Sequence, residues 1–110
     1  MRINLILSFL CAAWTLPVLA AEVCPARPGQ QLQFIDVFDG PPEEMAFLRP
    51  GRERPRSGAW ELGYIYDAGR SVTIRCKYAD EQALDVKLSK RVGRCNYRLD
   101  AKKTLKLDCV

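Results

Sequence analysis

The sequence predicts a small α+β domain that is mainly antiparallel β, with an N-terminal strand and a short helix followed by a five-stranded meander and two disulfides. Three observations predict this fold. From Trp60 onward, apolar and polar residues alternate in five successive runs, which is the period of half-buried strands. Short segments rich in Asp, Gly and Lys separate the runs and are typical of turns. Four cysteines follow residue 20, an even number that is typical of a disulfide-bonded exported domain.

The composition is that of one ordinary globular domain. The chain has 110 residues, of which 48% are hydrophobic and 27% charged, with 17 Lys and Arg against 13 Asp and Glu. These values exclude a disordered acidic tail, a collagen-like repeat and a protein with several membrane spans. The chain has no histidine, so a general base near neutral pH would have to be a perturbed carboxylate, lysine or tyrosine. We therefore expect no enzymatic activity, no catalytic residue and no cofactor.

The first twenty residues are typical of a secretory signal peptide. Arg2 lies beside the amino terminus and is followed by an apolar run over residues 3–16. That run is shorter than the about 20 apolar residues that a membrane-spanning helix needs, which disfavours an uncleaved anchor. The side chains at positions 18 and 20 are small enough for signal peptidase, so we expect cleavage before Ala21. The sequence thus predicts one disulfide-bonded domain over residues 21–110, exported to the periplasm and without a membrane anchor after processing.

The domain begins with one predicted strand and one predicted helix. β-Branched and aromatic residues lie on both faces of Leu32–Phe38, which predicts a strand covered on both sides. Asp39 can cap a following helix whose first turn contains two prolines and two glutamates. We expect this helix to end by Leu48 or Arg49, because a proline and a glycine come next.

Residues 49–58 contain four arginines and no large apolar side chain, so we expect an exposed loop there. The alternating runs that follow predict strands with one apolar and one polar face, joined in sequence order as a meander. The five runs are Trp60–Asp67, Val72–Tyr78, Leu84–Ser89, Cys95–Leu99 and Leu105–Cys109.

Four cysteines allow three disulfide connectivities, and the strand pattern selects one of them. If the segment DAKK forms the turn of the last hairpin, Cys95 lies opposite Asp108 and therefore close to Cys109. Elimination then pairs Cys24 with Cys76. A zinc site or a redox motif is disfavoured, because the chain lacks histidine and has no pair of cysteines two residues apart. We therefore expect no bound metal.

Basic side chains are the candidate binding groups of the predicted surface. The polar face of the meander and the Arg-rich loop carry positive charge that would attract an anionic envelope component or an acidic protein. Export removes nucleic acid as an ordinary partner, and the chain has no nucleic-acid-binding motif. An ordinary solvated face is the simplest interpretation of these charges, and contact with an anionic partner is the functional one. The candidate residues are Arg52, Arg54, Arg56, Arg75, Lys77, Lys87, Arg98 and Lys106.

Two hypotheses for the function come from these residues. The first is a non-enzymatic periplasmic binding module, because the domain is small, disulfide-bonded and without catalytic groups. The alternative is an inhibitor of a periplasmic or secreted hydrolase, which would present a rigid loop to the active site of that enzyme. Gly40–Pro42 and Arg49–Arg56 are the two segments that could form such a loop.

A set of short motifs runs through the chain after residue 20. They are Cys24-Pro25, Asp39-Gly40-Pro41-Pro42-Glu43, Trp60, Cys76-Lys77-Tyr78, Cys95 and Cys109. This set resembles an uncharacterised family of small exported proteobacterial proteins that is named after a Salmonella locus. The resemblance covers nearly all of the domain and implies a periplasmic location. It implies no catalytic residue.

We expect the exported product to begin at Ala21, because small residues precede it at the two positions that signal peptidase reads. The measurement is the intact mass of the protein recovered from the periplasm after expression of the full chain. A product that keeps Met1, or that carries a lipid on Cys24, would contradict this prediction.

Overall fold

A computed structural model of the chain describes residues 21–110. The predicted signal peptide over residues 1–20, and with it the cleavage, lies outside the described residues. The described elements are β1 (Ala21–Glu22), β2 (Leu32–Asp39), a 3-10 turn (Pro42–Glu44), β3 (Arg52–Arg54), β4 (Ser57–Glu61), α1 (Gly63–Asp67), β5 (Val72–Tyr78), β6 (Ala83–Leu88), β7 (Arg94–Leu99) and β8 (Leu105–Cys109).

The strands form two antiparallel sheets, with the orders β1-β8-β7-β4-β3 and β2-β5-β6. The prediction of a mainly antiparallel domain with two disulfides is confirmed. The hairpins β5–β6 and β7–β8 are confirmed as well. The single five-stranded meander is wrong, because β4 pairs with β7 and β5 pairs with β2. Runs that are neighbours in the sequence therefore belong to different sheets.

The short helix α1 carries the chain from one sheet to the other. The sequence predicts one strand over Trp60–Asp67, but β4 ends at Glu61 and α1 follows it. Leu62, Ile65 and Tyr66 are spaced to lie on one face of a helix, and the first two are fully buried. Alternation over so short a run fits both periods, so the burial of this face decides in favour of the helix.

A glycine ends α1. Gly69 has a φ of 81°, a left-handed conformation that glycine adopts without strain. Its N–H donates to the carbonyl of Tyr66 at 2.9 Å, and the N–H of Arg70 donates to that of Ile65 at 3.0 Å. This is the Schellman arrangement, which satisfies the last carbonyls of a helix. The Asp-Ala-Gly segment is therefore the end of a helix, and the prediction of a turn between two strands is wrong here.

The helix predicted after β2 is reduced to one 3-10 turn, Pro42–Glu44. Pro41 precedes this turn, and no side chain caps its free N–H groups. Met45 then takes a left-handed backbone conformation with a φ of 55°, which stops the turn after three residues. Asp39, the predicted cap, instead accepts a hydrogen bond from the side chain of Arg70.

The Arg-rich segment is a β-hairpin. β3 and β4 pair around a two-residue turn, with Arg54 opposite Ser57. Residues 51–56 are all exposed, so the prediction of an exposed segment is confirmed, but the prediction of a loop without regular structure is wrong. An edge strand needs no buried side chain, because pairing with its neighbour already satisfies half of its backbone groups.

The hydrophobic core lies between the two sheets, and each sheet turns its apolar side chains inward. The outer faces of the two sheets therefore point in opposite directions. The buried members of the core are Cys24, Val37, Trp60, Leu62, Ile65, Val72, Ile74, Cys76, Tyr78, Cys95, Leu107 and Cys109.

One disulfide joins the two sheets. β1 pairs with β8, and the N–H of Val23 donates to the carbonyl of Leu107 at 3.3 Å. The amino-terminal segment therefore belongs to the five-stranded sheet. The next residue, Cys24, is bonded to Cys76 on β5 in the three-stranded sheet.

Both predicted disulfide pairings are confirmed. Cys95 lies directly opposite Cys109, one residue from the predicted register, because Leu99 pairs with Leu105. The loop between these leucines is held by Asp100, whose carboxylate accepts two backbone N–H groups within it. In the loop-closure model, the bridges across separations of 52 and 14 residues contribute about 4 and about 3 kcal/mol. Two such bridges fit an oxidising compartment.

Gly58 lies against the ring of Tyr97 in the neighbouring strand. A Cβ at this glycine would lie 2.8 Å from Cζ and 2.9 Å from Oη of Tyr97. We expect Gly58→Ala to lower the free energy of unfolding by about 1–3 kcal/mol, which is the usual cost of overpacking. Gly51→Ala is the matched control, because a Cβ there meets no atom within 4 Å. Urea denaturation measures both variants, and equal stabilities would contradict this packing.

Candidate binding surface

Cations from three strands, β3, β7 and β8, lie together on the outer face of the five-stranded sheet. Directly paired residues lie on the same face of a sheet. Ser57 pairs with both Arg54 and Arg98, and Arg98 pairs with Lys106. Arg52 lies two residues from Arg54 along β3 and therefore projects on the same face. We name Arg52, Arg54, Arg98 and Lys106 the cationic platform.

The platform is exposed and slightly concave. All four of its residues are exposed, and a depression of about 290 Å³ opens on this face. The three platform arginines line the depression together with Arg94, Asn96 and Asp108. Asn96 and Asp108 are half-buried and lie opposite each other in the register. At the far end of the depression, Arg94 is paired with Glu61 at 2.6 Å.

Ion pairs divide the ten arginines of residues 21–110 into two groups of five. The two shortest bidentate pairs join Arg27 to both oxygens of Asp80, at 3.0 and 2.9 Å, and Arg75 to both oxygens of Asp85, at 2.7 and 3.0 Å. These hydrogen bonds lower the pKa of both carboxyl groups. The five paired arginines are Arg27, Arg70, Arg75, Arg91 and Arg94.

The other five arginines gather around the β3–β4 hairpin. In residues 21–110, no carboxylate oxygen lies within 4.0 Å of their side-chain nitrogens. Three of them belong to the cationic platform. Arg49 precedes β3, and Arg56 lies in the turn between β3 and β4.

Three predicted binding residues lie elsewhere. Arg75 and Lys77 are on β5 and Lys87 is on β6, in the three-stranded sheet, whose outer face points away from the platform. The prediction that all the candidate cations share one face is therefore wrong, because their strands belong to two sheets. The charge of Arg75 is also matched by Asp85. The candidates that do lie together are Arg52, Arg54, Arg56, Arg98 and Lys106.

An apolar groove of about 380 Å³ lies between the two sheets, beside the edge strand β2. Phe34 is 64% exposed, so the prediction that β2 is covered on both faces is wrong at this residue. The indole N–H of Trp60 donates to the carbonyl of Leu48 at 3.0 Å and closes one wall. Sequence analysis misses this groove because its walls come from both sheets. We name as the apolar groove the surface lined by Phe34, Phe47, Trp60, Tyr97, Leu99 and Leu105.

The Gly40–Pro42 corner is fixed to the end of α1. The guanidinium of Arg70 donates to Asp39 at 2.7 Å and to Glu44 at 2.5 Å, which raises the pKa of that guanidinium. Gly40 is buried, has a φ of 90°, and donates its N–H to the carbonyl of Ser71 at 2.9 Å. A cavity of about 510 Å³ lies beside the corner. The polar groups of the corner therefore bond one another and hold its shape.

The half-buried and buried tyrosines pack at the border of the hydrophobic core. Burial raises the pKa of Tyr66, Tyr78 and Tyr97. The hydroxyl of Tyr66 donates to the carbonyl of Leu88 at 2.7 Å, and that of Tyr78 to the carbonyl of Pro25 at 2.6 Å. These hydroxyls satisfy backbone groups at the border of the core.

Among residues 21–110, no group of three or more His, Cys, Asp or Glu residues is arranged to hold a metal ion. None of the helices described there is long and apolar enough to cross a membrane.

Comparison with protein-family models relates the chain to known proteins. The model of the type VI secretion system Tli immunity protein family matches residues 26–110. The chain belongs to this family. No curated protein and no solved structure matches the chain.

The matched range of the immunity-protein family contains every element from β2 to β8. The cationic platform, the apolar groove and the Gly40–Pro42 corner therefore all lie within it. The resemblance to a small family is supported in part, because the match names an immunity-protein family and does not confirm the name taken from a Salmonella locus.

We expect Arg70→Ala to loosen the corner, because Asp39 and Glu44 lose the guanidinium that holds them. The backbone amides of Gly40 and Met45 should exchange with solvent about two- to tenfold faster, while those of β5 stay unchanged. Arg91→Ala is the matched control, since it removes another exposed arginine paired with an aspartate. Hydrogen exchange followed by NMR is the measurement. Equal exchange in the two variants would show that Arg70 does not hold the corner.

Proposed function

We propose that this protein is an immunity protein that binds and neutralises a toxic effector delivered by a type VI secretion system. The observation that carries the proposal is the match of residues 26–110 to the Tli immunity protein family. It agrees with the inhibitor hypothesis from the sequence better than with a binding module for an anionic envelope component. The effector takes the place of the periplasmic or secreted hydrolase in that hypothesis.

The disulfides support action in the periplasm. The structure contains two disulfides, and disulfides persist in oxidising compartments such as the bacterial periplasm. A domain held in this way presents a preformed surface, so little conformational freedom is lost when a partner binds. We therefore propose that the effector is intercepted in the periplasm of the cell that makes the immunity protein.

Neutralisation by binding alone agrees with the bonding of several reactive side chains to other groups of the protein. All four cysteines after residue 20 are bonded to each other. The hydroxyls of Tyr66 and Tyr78 bond backbone carbonyls, and the carboxylates of Asp80 and Asp85 are engaged by arginines. The proposed mechanism is therefore steric and electrostatic: the domain covers a surface that the effector needs for its toxicity.

The test is protection from a periplasmic effector. The candidates are proteins that the bacterium carrying this chain releases only while its type VI secretion system is active. Each candidate is directed to the periplasm of a sensitive bacterium, with or without co-expression of the full-length chain, and viable cells are counted. We expect one candidate to be toxic. Co-expression of the immunity protein should then restore growth to the level of cells that do not express the candidate.

A matched control separates specific binding from general relief of stress. Cys24→Ser with Cys76→Ser removes the bridge between the sheets and should lose most of the protection, because the domain loses stability of about 4 kcal/mol in the loop-closure model. If no candidate becomes less toxic in the presence of the wild-type chain, the proposed function is wrong.

A further inference from the structure

We propose that the cationic platform is the surface that binds the effector, and that it recognises a cluster of carboxylates on that protein. The inference rests on the proposed function and adds to it the binding surface and the chemistry of the partner. Charge complementarity is the physical basis, because Arg52, Arg54, Arg98 and Lys106 form no salt bridge within residues 21–110.

The distribution of ion pairs is the first argument. Carboxylates are placed against five of the ten arginines in residues 21–110, and the other five all surround one hairpin. Three of the paired ones, Arg27, Arg75 and Arg91, donate to both oxygens of one carboxylate, which is the bidentate geometry that a guanidinium prefers. Carboxylates of an acidic partner could pair with the platform arginines in the same geometry.

The register of the sheet is the second argument. Arg98 lies directly opposite Lys106, and like charges in directly opposite positions are unfavourable in a sheet. Arg54 extends the same row across Ser57. The nearby carboxylate of Asp100 accepts backbone N–H groups of its own loop. These hydrogen bonds and the attraction to Lys106 lower the pKa of the Asp100 carboxyl group, so Asp100 offsets part of this positive charge. A carboxylate from outside would relieve the repulsion that remains.

The surroundings of the platform favour a protein over a lipid surface. The bordering residues Ser57, Asn96 and Asp108 are polar, and Glu22 pairs with Asp108 in the next row. These two carboxylates would repel a uniformly anionic membrane, whereas a protein surface of mixed charge can match them. The strongly exposed Phe34 belongs to the apolar groove and does not border the platform, so it could not insert into a bilayer that the platform contacts.

The net charge of the whole domain also favours an acidic partner. Residues 21–110 contain 16 Lys and Arg against 13 Asp and Glu, because Arg2 is the only charged residue before them. The excess of positive charge would speed the encounter with an acidic effector and slow the encounter with a basic one.

The first test measures affinity for the effector that the protection assay identifies. The triple variant Arg54→Ser, Arg98→Ser, Lys106→Ser removes three charges of the platform. Its Kd by isothermal titration calorimetry should rise by about 30-fold or more, which corresponds to the loss of one interface hot spot. Wild-type affinity should also fall as salt rises from low to physiological strength, where the screening length is about 8 Å.

The matched control removes the same number of charges from outside the platform. It is the triple variant Lys77→Ser, Lys87→Ser, Lys90→Ser, whose lysines are exposed and form no salt bridge within residues 21–110. Its Kd should stay within about threefold of wild type, as for ordinary surface changes. Thermal unfolding followed by circular dichroism checks that both triple variants are folded.

The outcomes separate this inference from the proposed function. If the wild-type chain protects cells but both triple variants bind the effector as tightly as wild type, the platform is not the binding surface, although the proposed function stands. Loss of binding in Phe34→Ser with none in the platform variant would assign the effector to the apolar groove. Binding of the wild-type protein to phosphatidylglycerol vesicles, lost in the platform variant, would overturn the inference in favour of an anionic membrane.

A second probe tests the platform without the effector. A short oligoglutamate peptide is titrated into the ¹⁵N-labelled protein, and backbone amide shifts are followed by NMR. We expect the largest changes at Ser57, Asn96 and Arg98, and their loss in the platform variant. Changes centred on Lys77 and Lys87, or no saturable change at any amide, would show that the platform does not recognise carboxylates.

Discussion

The bond between Cys24 and Cys76 positions every surface of this protein, because it joins two sheets that share one core. The segment before Cys24 is paired with β8, whereas Cys76 is fully buried in β5. Hydrogen bonds reinforce the junction at other places, as where the indole N–H of Trp60 reaches the carbonyl of Leu48. With the inner faces held together in this way, the polar residues of each sheet must point outward and in opposite directions. The cationic platform on one side is a consequence of that arrangement.

Local pattern predicts the hairpins but not the sheet to which each belongs. The alternation in Val72–Tyr78 and in Leu105–Cys109 marks strands correctly, and short turns join each to a neighbour. The pairing of Trp60 with Cys95 is between residues far apart in the sequence, and no local signal encodes it. The segment Gly63–Asp67 fits a strand and a helix equally well over so few residues. The Gly69 that follows is the local signal that could have revealed the helix end.

The sequence predicts the exposure of the candidate binding residues but not which of them lie together. Exposure of Arg52 and Arg54 follows from the absence of apolar residues around them, and it is what the structure shows. The separation of Lys87 from Arg98 depends on sheet membership, which the sequence pattern does not contain. The matching of Arg75 by Asp85 depends on the register between β5 and β6. The apolar groove needs both sheets in place, so a reading of separate strands does not reveal it.

The four cysteines after residue 20 are joined in the order in which they occur in the chain, the first with the second and the third with the fourth. The order of pairing bears on biosynthesis. A polypeptide that enters an oxidising compartment amino end first exposes Cys24 and Cys76 to the oxidant before Cys95 and Cys109 have emerged. Joining thiols as they appear then produces the native bridges directly, and it leaves no mispaired cysteines for a disulfide isomerase to correct.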